Sequence, residues 1–408
     1  MPVPQAVSPA LFAAGLKPGL RIFIAGCGGE PLAVLEALPA YAGTLLAVPV
    51  AGVNRRDLSA IAPLEAAFMT PELRPGLAAG RVRFLPLHYS EADAWLRGPA
   101  AVDMAIFRCA APRGGSVSLA LAHDFIPGLA AAGASLVGVV DPSLPDVPDG
   151  VRLPLSRLQA LVDGPSPTPL LPAEAPGEAM AVLARHAAGL VRDGDTVQAG
   201  IGSAAAAVLD ALSDHRGLRC HGGMIGDAVP RLLDAGAVTQ VTTGVALGSA
   251  ALYDRVARET RIAFRPVSET HDAARLAATP SLVAINAAVE VDLFGQVNSE
   301  MIDGRQISGQ GGVADFVRGA RRSPGGRAVT ALLASGRGGT VSRIVACLKP
   351  GTPVSVTRAD ADWVVTEHGV ACLRHADLET RAQRLIGLAA PQFRDALAAA
   401  WEALRRAM

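Results

Sequence analysis

Short runs of apolar and β-branched residues alternate along this chain with Ala/Leu-rich stretches of helical spacing. Residues 20–25 are followed by a helical pattern over 31–38, and residues 281–287 come well after another over 228–233. A short apolar run bounded by turn residues reads as a strand buried on both faces, and strands separated by helices build βαβ units. The pattern therefore predicts an α/β protein with mostly parallel sheets. It breaks where residues 165–177 carry five prolines within thirteen residues, which no regular helix or central strand accommodates. The break divides the 408 residues into an N-terminal lobe over 1–163, a Pro-rich linker over 164–178 and a C-terminal lobe over 179–408. Each lobe is long enough to bury a core of its own.

The lobes also echo one another. Residues 19–38 and 194–212 align with a single one-residue gap, each giving a turn, a strand, a Gly-x-Gly corner and an Ala/Leu helix. Two related α/β lobes, the product of a duplication, are the expectation.

Composition narrows the functions open to such a protein. Lys plus Arg and Asp plus Glu balance at 37 each, leaving no basic stripe for nucleic acid. Lys17 and Lys349 are the only lysines, so phosphate contacts fall to arginines, backbone amides and helix N-termini. The five cysteines, Cys27, Cys109, Cys220, Cys347 and Cys372, have no metal-ligand spacing and are expected to be buried thiols. The longest apolar run, residues 126–140, is shorter than the ~18 residues of a membrane span, and no basic patch precedes an apolar stretch at the N-terminus. A cytoplasmic protein with no membrane partner is expected, and the sequence allows a homo-oligomer.

Three glycine-rich corners could approach a ligand. Gly200-Ile201-Gly202-Ser203 ends a strand and opens a helix, where amides and the positive helix end could meet an anion. It is equally readable as a tight βα turn, and Ala205 stands where a dinucleotide fingerprint needs glycine. Gly26-Cys27-Gly28-Gly29-Glu30-Pro31 is the first-lobe counterpart. Ser308-Gly309-Gln310-Gly311-Gly312 leads toward Asp315, which suits a cap on a helix through 316–320.

Together with residues 285–299, 339–345 and 364–374, these stretches resemble the acetyl-CoA hydrolase/4-hydroxybutyrate CoA-transferase family over nearly the whole chain. The resemblance implies the class I CoA-transferase fold, coenzyme A or an acyl-CoA as small-molecule substrate, and no permanently bound cofactor or metal. In that family a glutamate about twenty residues past the Gly-Ile-Gly corner attacks the thioester and becomes a glutamyl-CoA thioester. Here the segment reads His221-Gly222-Gly223-Met224, with Gly223 at the glutamate position. The family's CoA-binding half is better preserved, with Gly200, Ile201, Gly202, Ser203, Asn286, Gly309, Gly311 and Gly312 in place. In the first lobe Ala120 replaces a glycine and Asp141 an asparagine, so the family's acyl groups do not carry over.

Other residues could supply chemistry. Glu290 and Asp292 share one face of a strand, and a pair of acids facing a pocket can do acid/base work. His221 could activate water near neutral pH or serve as scaffold. Glu367 resembles a nucleophile setting that the family has in addition to its own glutamate. The leading expectation is an enzyme in which the space vacated at Gly223 admits water or an acceptor, giving hydrolysis, acyl transfer or carbon–carbon cleavage without a glutamyl-CoA intermediate. A CoA-transferase with a relocated carboxylate and a non-catalytic acyl-CoA binder or partner subunit are the alternatives, with a phosphosugar or nucleotide enzyme behind them.

Overall fold

The structure, a computed structural model, describes residues 5–171, 175–200 and 202–408. Two large sheets organise it. The first holds β1 (Arg21–Ile24), β2 (Thr44–Ala47), β3 (Leu64–Ala66), β4 (Val82–Phe84), β5 (Met104–Cys109), β6 (Ser135–Val140) and β7 (Leu158–Asp163). Their order is β4-β3-β2-β1-β5-β6-β7, and every pairing is parallel.

The second sheet holds β8 (Thr196–Ala199), β9 (Leu218–His221), β10 (Val238–Thr243), β11 (Ile262–Phe264), β12 (Leu282–Ala287), β13 (Arg327–Ala331), β14 (Trp363–Thr366) and β15 (Gly369–Cys372). The order β11-β10-β9-β8-β12-β13-β14-β15 is parallel except for the closing β14–β15 hairpin. The two sheets share one plan. The founding strand, β1 or β8, lies centrally; three strands then run to one side before the chain returns to build the other. Each sheet thus has a topological switch point beside its founding strand, where the strands' C-terminal ends open a crevice.

The apolar runs follow from this burial on both faces. All six residues of β5 are buried, and the first five of β12. The exception in kind is Arg108 in β5, buried to 1 % exposure and paired with Asp141 at 2.6 Å. That pairing gives a physical reason for an aspartate at 141.

The lobes share core and backbone. Leu121, Leu144 and Val147 pack in one cluster with Val241 and Phe264 of the second lobe. The amide of His123 donates to the Gly244 carbonyl, that of Ala246 to Leu121 and that of Phe264 to Asp149, at 2.9, 2.9 and 2.7 Å. The glycine loop makes a further seam. A Cβ on Gly309 would stand 2.3 Å from the Ala67 carbonyl oxygen, so only glycine fits against the first lobe there. The Tyr89 amide donates to Gly311 O at 3.0 Å.

Two expectations, on Asp315 and on the cysteines, are corrected by the structure. Asp315 does not cap its own helix, Val313–Arg322, which starts behind Gly312 with no side-chain cap. It accepts instead from Ser90 N and Oγ, at 3.1 and 2.6 Å, in the first turn of the helix Tyr89–Arg97 across the seam. Cys27, Cys109 and Cys220 are buried thiols, but Cys347 is exposed and Cys372 half-buried. Residues 126–140 fold as the helix Ile126–Ala131 and strand β6. Among the described residues no helix is long and apolar enough to cross a membrane, and no group of three or more His, Cys, Asp or Glu side chains could hold a metal. The described part of 164–177 forms neither helix nor strand.

Candidate active site

A cavity of about 310 Å³ opens between the lobes at the second sheet's switch point. Gly200 follows β8, Gly223 follows β9, and Asn286 lies near the end of β12, so parallel strands deliver all three to one place. Gly309, Gly311 and Gly312 line the same cavity, and the first lobe contributes Phe68 and Tyr89. Six of the residues singled out from the sequence therefore meet. Gly202 and Ser203 are exposed at the start of the helix Ser203–Asp210 and lie off the wall, and Ile201 lies outside the described residues.

The two candidate catalytic residues do not reach the cavity. Glu290 is held by Asn298 Nδ2 at 3.0 Å and is absent from the described lining. Asp292 is buried, its carboxylate taken up by the amides of Phe294 and Gln296 and the Gln296 side chain. The shared strand face thus points into a small turn. Glu367 accepts from the Ala334 amide at 2.8 Å and is likewise off the wall. His221 stands one layer back, its Nε2 donating to the Thr270 carbonyl at 3.0 Å.

The space beside Gly223 is not vacant. A Cβ built there would come to 2.7 Å from Cε1 and 3.1 Å from Nε2 of His271, and one on Gly312 to 2.6 Å from the same Nε2. The ring of His271 is wedged between the two glycines. Its faces meet Tyr89 and Phe316, each with ring centroids 4.8 Å away. Sequence reasoning missed this histidine: it lies 48 positions from Gly223, and nothing in Glu269-Thr270-His271 advertises it.

The hydrogen bonds around His271 set its tautomer. Thr270 Oγ1 lies 2.9 Å from Nδ1 and 3.3 Å from the Pro266 carbonyl. One hydroxyl satisfies both contacts when it donates to Pro266 O and accepts Nδ1–H, which leaves the Nε2 lone pair free. Burial, reinforced by neighbouring His221, pushes the imidazole down to about 3, so the ring is neutral at physiological pH. His221 is itself lowered by burial. It fixes the backbone that carries Thr270 and so positions His271.

Gln198 was also missed. It lines the cavity and exchanges amide hydrogen bonds with Asn286, at 3.1 and 3.3 Å. Its place between Val197 and Ala199, in a strand with its first three residues buried, was the available signal. Beneath Tyr89 lies Asp124, whose carboxyl group the tyrosine hydroxyl hydrogen-bonds and burial raises to about 7. Asp124 sits at φ +24°, a backbone strain of the kind that gathers at functional sites. Tyr89 and His271 are the only titratable side chains among the cavity's described lining residues, and none of these carries a carboxylate.

Residues 248–401 match the family model described as the acetyl-CoA hydrolase/transferase C-terminal domain. The chain is 30% identical over 396 residues to the 4-hydroxybutyrate coenzyme A transferase of Clostridium kluyveri, covering 92% of each. It is 31% identical to the succinyl-CoA:cyclohexane-1-carboxylate CoA transferase of Geobacter metallireducens, over 98% of this chain and 94% of that one. RipA from Yersinia pestis superposes with a TM-score of 0.90 at 25% identity, covering 98% of both chains. The chain belongs to the acetyl-CoA hydrolase/CoA-transferase family, whose members act on CoA thioesters.

Proposed function

We propose that this protein turns over a CoA thioester by direct attack of water or a small acceptor on the acyl carbon, with no covalent protein–CoA intermediate at position 223. The observation that carries the reading is His271. Its ring occupies the volume that a side chain at 223 would need, in a cavity whose described lining holds no carboxylate.

In the hydrolytic form, the free Nε2 lone pair accepts a hydrogen bond from water and orients it toward the thioester carbon. A carbon–oxygen bond forms as the carbon–sulfur bond breaks, and the water proton passes through Nε2 to the leaving thiolate. A ring held near 3 is a weak base, so most of its contribution is orientation, completed by proton transfer as attack proceeds. Gln198, Asn286 and the Gly309–Gly312 loop would hold the thioester arm of CoA along the same wall.

Free-thiol release from a panel of acyl-CoAs, measured for the wild type and His271→Ala, tests the proposal. Turnover that falls by about 10²-fold or more in the variant supports it. Absence of turnover across the panel, with CoA still bound, would favour a non-catalytic acyl-CoA binder.

A further inference from the structure

The first sheet has a switch point of its own, and a second recess of about 270 Å³ opens beside it. Cys27 and Glu30 enter it from the corner after β1, and Arg108 from the end of β5, as Gly200 and Asn286 serve the larger cavity in the second sheet. Arg55 and Arg56 complete its cationic wall, and the linker residues Pro167–Pro169 border it.

Three guanidinium groups line this recess against a single carboxylate, Glu30. Arg108 is paired with Asp141, whose own burial is outweighed by hydrogen bonds from Ser143, Ser166 and the arginine, holding it at about 2. That pair is spoken for. Among the described residues Arg55 hydrogen-bonds the Gly52 carbonyl, at 3.1 Å, and neither Arg55 nor Arg56 forms an ion pair. The Nε of Arg108 is buried and has no hydrogen-bond partner. An orphaned N–H on a side chain 1 % exposed is costly, and a ligand oxygen would satisfy it.

We infer that this recess is a binding site for a small carboxylate, held by Arg55, Arg56 and Arg108 and distinct from the thioester cavity. The two spaces flank one apolar plug, in which Cys27 and Val53 face the recess while Val50, Met224 and Val245 face the larger cavity. The choice of a carboxylate over a phosphate rests on Glu30. Burial raises its pKa, countered by Asn54, Arg56 and Arg108. With Arg108 matched by Asp141, Arg55 and Arg56 set against Glu30 leave one net positive charge in the recess, which one carboxylate group neutralises and a phosphate dianion exceeds. Occupancy is tied to the linker, because Arg108 also donates to Ser166 O at 2.7 Å.

Calorimetric titration with succinate, acetate and inorganic phosphate, on the full chain and on Arg55→Gln/Arg56→Gln, tests the site without recourse to turnover. Both arginines are at least partly solvent-exposed, so the variant is expected to fold, and its unliganded melting curve checks this. Succinate or acetate should bind the wild type more tightly than phosphate and weaken about ten-fold or more in the variant. Carboxylate binding that is absent at millimolar concentration, unchanged in the variant, or weaker than that of phosphate would overturn the inference. Because the readout is binding at residues outside the thioester cavity, its failure leaves the proposed chemistry standing.

Discussion

Glycine at 223 and histidine at 271 are two halves of one packing arrangement. Adding even a methyl group at 223 brings it to 2.7 Å from a ring that Tyr89, Phe316 and Gly312 prevent from moving aside. Gly223→Ala should therefore cost about 1–3 kcal/mol, read as a lowered urea midpoint. For the same reason Gly223→Glu alone should not gain CoA exchange. A glutamate at 223 should support exchange only once the ring is removed, so exchange assays should separate Gly223→Glu from Gly223→Glu/His271→Ala. The sequence drew attention to position 223 because a motif could be read along the chain. It did not disclose the histidine, because proximity across 48 positions is a property of β9 and the segment after β11 lying side by side.

Buried titratable groups also set the acid limit of stability. His271 and His123 are both held at about 3, by burial first and then by His221 and Arg265 respectively, against 6.5 for an ordinary histidine. Between those values the unfolded chain binds more protons than the folded one, so stability falls as pH drops from 6.5 toward 3. Asp124, raised by burial from 3.8 to about 7, works in the opposite direction over much of that range. Glu30, Asp93 and Asp315, also raised by burial, act with Asp124, while His221, also lowered by burial, acts with the two histidines. His123→Phe, which keeps a ring against Phe264, should flatten the slope of stability against pH by about one proton, measured by urea unfolding at several pH values.

At the level of elements, the glycine loop and the helix behind it join the lobes as well as line the cavity. Gly309 lies against Ala67, Gly311 pairs with Tyr89, and Asp315 bonds the first turn of the helix Tyr89–Arg97. The sequence marked this loop as unusual through its glycines, yet gave Asp315 to the wrong helix. A capping residue is recognised by its spacing to its own helix, and an acceptor for a partner 225 positions away has no such spacing. Asp315→Ala should destabilise the protein by about 1–3 kcal/mol through the unpaired Ser90 donors. The shift should appear in the urea midpoint and also weaken CoA binding, since Tyr89 neighbours Ser90. Strands β1 and β12 were legible because burial on both faces writes itself as a largely apolar run, and β8 through its echo of β1. Alternation says that Glu290 and Asp292 share a face, but not that this face meets Asn298 and Gln296 in place of the cavity.

Over the whole molecule, the echo between residues 19–38 and 194–212 expresses a repeated topology, a founding strand with the chain wound to either side. The repeat explains why crevices occur in pairs, one holding Gly223 and His271 and the other the arginines. Their chemistry differs because each corner carries different side chains. The account's central claim is tested most directly by intact-mass analysis during turnover of an acyl-CoA, with and without a hydroxylamine quench. The account predicts product formation while the protein keeps its unmodified mass throughout. A hydroxylamine-sensitive increase equal to a bound CoA, appearing and decaying at the rate of turnover, would contradict it.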